Sequence, residues 1–287
     1  MINIVCTSKP CDGLFYYSYE YCSRLNDLGF PARVIVVTHR RFPSADYVSS
    51  IKQKYIHCKN LVFNDVDPDD NDITFVTGRS MITLAYQDFD GYTLEQQNTL
   101  RKLFSKNTIP VYSENHPINY PKALDFFQPK KIIDLCDQEV YPNGTGEHFE
   151  KTINFDIYKP VKNESEFKYL FLGTNNKYYA TVESVIHDFP NHGILVYNDQ
   201  TVNDDYNNIV APANNLLGKF DTYVYTKNTF DPAPRLFQEC RYFGKNIIYK
   251  RSKTIHDGGS VYWNRDIKKP DITPIEQAIE KLNENRT

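Results

Sequence analysis

The stretch DPAPRLFQECRYFGKNIIY (231–249) decides how this chain is read. Asp231, Pro232 and Pro234 suit a helix entrance and Gly244 suits its exit. NIIY (246–249) then reads as a buried strand directly after the helix. Arg235 and Glu239 are four apart and so share one helical face. A cation and a carboxylate near a helix N-terminus suit a phosphorylated sugar: the N–H groups and Arg235 take phosphate, and Glu239 takes ribose hydroxyls. A plain intrahelical ion pair is the alternative, and spacing alone favours it.

Outward from this stretch, strands and helices alternate. FDTYVYT (220–226) is the strand before the helix, and KYLFLG (168–173), GILVYN (193–198) and IVAP (209–212) are further strands of the same half. A helix is expected around 178–188. In the first half, INIVCT (2–7) and RVIVVT (33–38) bracket a helix with Phe15, Tyr19, Cys22, Leu25 and Leu28 at helical spacing and Gly29 as its stop. Strand–helix–strand order predicts a parallel sheet. NLVF, ITFVT, IPVYSE (109–114) and KIIDLC (131–136) extend it, with a helix at 93–105. The polar segment 151–168, containing Pro160 and KNESE, reads as a linker. A last helix has Thr273 as cap, Pro274 at its first position and Glu276 completing a capping box. The expectation is an α/β protein of two Rossmann-like domains, 1–160 and 161–287, the second carrying the terminal helix, facing each other across a cleft.

Composition excludes several classes. The chain has 287 residues, a net charge of −3 and 24% charged residues, and neither half is basic, so a polyanion would have to bind a local patch. No apolar run approaches the ~18 residues of a membrane span. The start, MINIVCTSKP, lacks the basic and long apolar regions of a signal peptide. Six cysteines lie scattered without a CxxC pair, which reads as free thiols. A cytoplasmic chain is the expectation.

Polar residues follow several of the expected strands, at the end where parallel sheets bind ligands. They are Gly13 after the first strand, His39, Arg40 and Arg41 after the second, Arg79 behind Gly78, His116 in Asn115-His116-Pro117, and Lys177 shortly after Gly173. Solvated loops would show the same residues. The acidic run DVDPDDND holds an Asp65-x-Asp67 pair, readable as a metal site or as a solvated loop.

The spacing Asp231-x7-Glu239, followed by Gly244 and an apolar strand, resembles the donor-site signature of retaining GT-B glycosyltransferases, which carry Glu at the first position. The resemblance implies that Glu239 holds the ribose of a nucleotide sugar and that Asp231 lies near the transferred sugar. TIHDGGSVYWNRD (254–266) resembles the HDSG-containing stretch of phage α-glucosyltransferases that modify hydroxymethylcytosine in DNA. VYSENHP (111–117) is similar to their His-Asp-His loop at its last histidine only, His116, with Glu114-Asn115 before it.

From this resemblance follow the expected roles. His116, Asp231 and Glu114 are the candidates at the reacting sugar. Gly13, Gly173, Lys177, Arg235, Glu239, His256, Asp257 and Gly258 are the donor-side candidates, and His39, Arg40, Arg41 and Arg79 the DNA-side ones. The donor is expected to be a UDP-sugar, the acceptor 5-hydroxymethylcytosine in phage-type DNA, and no metal or cofactor is expected to be required. Other readings are transfer to a cell-surface glycan or lipid-linked sugar, a GT-A-type enzyme using Asp65 and Asp67 with Mn²⁺, and a non-catalytic nucleotide-binding scaffold.

Overall fold

The computed structural model describes residues 1–8, 13–38, 60–63, 66–105, 107–112, 120–136, 143–149, 165–173, 179–196, 208–209, 216–227, 235–250 and 271–284. The chain is α/β and forms two compact units, each built on a parallel sheet.

The first unit contains β1 (Ile2–Ser8), α1 (Gly13–Asp27), β2 (Ala32–Thr38), β3 (Leu61–Phe63), β4 (Ile73–Thr77), α2 (Arg79–Tyr86), α3 (Leu94–Leu103), β5 (Thr108–Tyr112), α4 (Tyr120–Phe127), β6 (Leu135–Cys136) and β7 (Glu147–His148). Its seven strands lie in the order β3-β2-β1-β4-β5-β6-β7. Among the described strands every pairing of this sheet is parallel, Ile4 lying opposite Val34 on one side and Phe75 on the other. Both faces are covered, which is why these strands read as continuous β-branched runs. Val76 faces a cluster with Met81, Ala85, Leu100, Phe104 and Phe127. On β4 the preceding Phe75 instead stacks on Tyr21 of α1, with ring centroids 5.7 Å apart.

The buried stripe of α1 is Tyr17, Tyr21, Cys22 and Leu25, whereas Leu28 is 43% exposed. The expected stripe through Tyr19 and Leu28 is therefore rotated. Gly29 does end the helix, at φ 87. The amides of Phe30 and Gly29 bond the carbonyls of Leu25 and Asn26, a Schellman closure.

The second unit holds β8 (Phe167–Gly173), α5 (Val182–Ile186), β9 (His192–Val196), β10 (Asn208–Ile209), β11 (Phe220–Tyr225), α6 (Arg235–Tyr242) and β12 (Asn246–Tyr249), with the strand order β10-β9-β8-β11-β12. Again both faces are covered. Leu170, Tyr223 and Tyr225 meet Phe237 and Cys240 of α6, and Phe171, Ile194 and Val224 meet Val182 and Val185 of α5. The strand after α6 is not buried as expected: β12 pairs only with β11 among the described strands, and Ile248 and Tyr249 are 37% and 49% exposed.

The terminal helix α7 (Thr273–Glu284) belongs to the first unit, not to the second half where the sequence places it. Lys281 reaches Glu147 of β7 at 3.3 Å. Its cap also differs: the Thr273 amide donates to the Asp271 side chain at 3.0 Å. A full capping box stands instead at α3, where Thr93 and Gln96 exchange side-chain and backbone bonds.

Candidate nucleotide site at a strand crossover

The strand order of the second unit fixes where a ligand would sit. From β8 the chain runs to β9 and β10 on one side, then returns to β11 and β12 on the other. The order of strands therefore reverses between the parallel β8 and β11, and in open parallel sheets the crevice for ligands opens at the carboxyl ends of such a strand pair. The register sets Val224 opposite Phe171. Two residues further along each strand are Thr226 and Gly173, at the mouth of this crevice. Thr226 accepts the Ala180 amide through its carbonyl at 2.9 Å. Lys227 bridges backbone to backbone with Tyr179, its Nζ 5.6 Å from the Tyr179 ring.

Helix α6 brings the charged pair to the same strand. Its inner face, Phe237 and Cys240, is anchored on Tyr225, with Phe237 and Tyr225 centroids 5.7 Å apart. Gly244 at φ 66 closes the helix, and the amides of Lys245 and Gly244 bond the carbonyls of Cys240 and Arg241. This is a second Schellman closure, which turns the chain straight into β12. With the helix fixed at both its inner face and its end, Arg235 Nε donates to Glu239 Oε1 at 2.7 Å. The side chains are 13% and 1% exposed.

The helix dipole does not favour this placement. Arg235 is the first residue of α6, next to the positive end of the helix dipole, where a cation is disfavoured by about 0.3–1 kcal/mol. Removing both charges from water also costs several kcal/mol per ion, an amount that their attraction barely offsets. Arg235, part-buried, and the enclosed Glu239 thus stand in the first turns of a helix, whose N-terminal N–H groups favour anions.

No family model and no curated protein matches the chain. Among solved structures it is similar to an alpha-glucosyltransferase in complex with UDP and a 13-mer DNA containing an HMU base. The identity is 10%, the match covers 99% of this chain and 90% of that one, and the TM-score is 0.49.

Of the sequence candidates, Gly173 ends β8, and Arg235 and Glu239 lie on α6, which packs on β11 and β12. Gly13 opens α1 and Arg79 opens α2, following β1 and β4. These two strands are the equivalent reversal pair of the first unit. His39, Arg40, Arg41, Glu114, His116, Lys177, Asp231, His256, Asp257 and Gly258 lie outside the described residues, as do Asp65 and the expected linker's 151–164. Asp67 is exposed and pairs with Lys102 at 2.9 Å.

Sequence reading missed Thr226 and Lys227. The signal was present: a hydroxyl and a cation directly after the apolar run of β11, in front of the 231–249 stretch. A cavity of about 410 Å³ in the first unit, lined by Asp67, Asp69, Asp70, Asp72, Arg101 and Lys102, lies at the amino end of β4. That is the wrong end of a parallel sheet for a ligand. Its Asp72 is engaged by Asn3 Nδ2 at 3.0 Å and lies 3.7 Å from Arg33.

Proposed function

We propose that the chain is a glycosyltransferase that takes a sugar from a nucleoside-diphosphate donor, with UDP as the nucleotide. The observation that carries this reading is the buried Arg235–Glu239 pair on the helix that follows β11, at the sheet's reversal point. Arg235 supplies fixed positive charge to the diphosphate, together with Lys227 and Lys177. Preorganised charge in a water-poor site stabilises a leaving group by several kcal/mol, so activity insensitive to EDTA is expected. Glu239 accepts from Arg235 Nε at one oxygen, and in this reading the carboxylate also takes a ribose hydroxyl.

In this proposal the two units are the halves of a GT-B enzyme. Transfer proceeds with retention on the face of the departing phosphate, and Asp231, His116 and Glu114 surround the sugar. His256, Asp257 and Gly258 complete the donor side. The acceptor is a 5-hydroxymethylated pyrimidine in DNA, its backbone met by His39, Arg40, Arg41 and Arg79. The acceptor assignment is supported by the sequence resemblance at 111–117 and 254–266.

Mass spectrometry of hydroxymethylcytosine-containing DNA, after incubation with a panel of UDP-sugars, tests the whole reading. A pentose or hexose mass increment on the base is the expected result. An unmodified base with every sugar, together with UDP binding, would move the acceptor to a glycan or lipid-linked sugar. Binding without turnover on any acceptor would leave a nucleotide-binding scaffold.

A further inference from the structure

Thr226 is 1% exposed, and its hydroxyl has no hydrogen-bond partner among the described residues. A buried hydroxyl left unbonded costs about 1–3 kcal/mol, and its removal would cost the fold nothing. Its position gives it a use. Thr226 follows the last residue of β11, on one of the two strands between which the strand order reverses, opposite the carboxyl end of β8. Burial and topology are independent observations that meet at this side chain.

We propose that the Thr226 hydroxyl is a direct contact to the nucleoside diphosphate, resting on the donor-site reading above. A hydroxyl can both donate and accept, so it can serve a phosphate oxygen or a ribose hydroxyl. Lys227 beside it and Arg235 on α6 supply charge. Thr226 supplies the short, directional bond that fixes where the diphosphate ends and the sugar begins.

The test is isothermal titration of UDP into the full chain carrying Thr226→Val or Thr226→Ser, with thermal melting of each without nucleotide. Valine keeps the shape and removes the hydroxyl. The expected result is UDP affinity reduced about three- to tenfold in Thr226→Val, with a melting temperature equal to or above that of the unsubstituted chain. Thr226→Ser is expected to restore affinity to within about twofold, since it keeps the hydroxyl. Unchanged UDP affinity in Thr226→Val, with the unsubstituted chain binding UDP, would overturn this assignment and leave the donor site standing. A melting temperature lowered by several degrees in Thr226→Val would also overturn it, because the hydroxyl would then be serving the fold. Absence of UDP binding by the unsubstituted chain would remove the donor-site reading itself, and this contact with it.

Discussion

Arg235 Nε lies 2.7 Å from Glu239 Oε1, one helical turn apart, with the carboxylate shut off from water. The pair separates structural from functional effects of substitution. Glu239→Ala removes the carboxylate that accepts from the part-buried Arg235 and is expected to cost about 3 kcal/mol. Glu239→Gln keeps an oxygen for Arg235 Nε and should melt within a few degrees of the unsubstituted chain. Chemical denaturation of both checks this, and an equal loss in the two would show that the charge, not the contact, holds the helix.

Gly146 is required by a close approach rather than by its backbone angles. A Cβ placed there would meet the Asp134 carbonyl oxygen at 2.8 Å and the Cys136 Cβ at 3.0 Å. Gly146 leads directly into β7, where Glu147 pairs with Leu135 and His148 with Cys136. Gly146→Ala should therefore destabilise the first unit by about 1–3 kcal/mol, measured by urea unfolding. A neutral substitution would mean that β7 can move away from β6 at little cost.

Burial pushes the Cys22 thiol up from 9.0 to about 12, against a smaller lowering by Asn26. The native state therefore keeps its proton over a range where the unfolded chain has lost it. Stability held below pH 9 should fall as pH rises from about 9 towards 12, because the unfolded state then binds fewer protons. Melting temperatures across this range should show a shallower decline in Cys22→Ala. An identical slope would assign the alkaline loss to other groups, Cys240 first, whose thiol is raised by burial and by neighbouring Glu239.

At the start of α3 the capping box predicts a modest, local effect. Thr93 accepts the Gln96 amide at 3.3 Å, and Gln96 Oε1 takes the Thr93 amide at 3.2 Å. Thr93→Ala should cost about 1 kcal/mol, read as a shift in urea midpoint with unchanged m-value. No shift would mean that water replaces the cap.

Much of the fold is legible in the sequence because burial on both faces writes long apolar runs. RVIVVT, ITFVT and KYLFLG fall within β2, β4 and β8 almost to the residue. Where a tertiary contact sets the boundary, the pattern misleads. KIIDLC shrinks to Leu135–Cys136, with Lys131 making an isolated bridge to Thr108 and an ion pair to Asp134 ahead of the strand. The run NIIY says nothing of edge or centre, since its outer side is decided by strand order. The terminal helix carries no mark of which unit it joins.

At the candidate site, the i,i+4 spacing of Arg235 and Glu239 is readable, but their burial is not. Thr226 becomes notable only once its hydroxyl is seen to be enclosed at a strand reversal, a relationship that spans some fifty residues from Gly173.

The central claim is that α6 and the end of β11 hold a diphosphate, and one titration tests it most directly. UDP is titrated into the unsubstituted chain and into Arg235→Gln, which keeps a donor for Glu239 but removes the charge. Loss of a charged hydrogen bond predicts affinity lower by about ten- to a hundredfold in Arg235→Gln, with the fold intact by circular dichroism. Equal UDP affinity in the two proteins, or no UDP binding by the unsubstituted chain, would contradict the account.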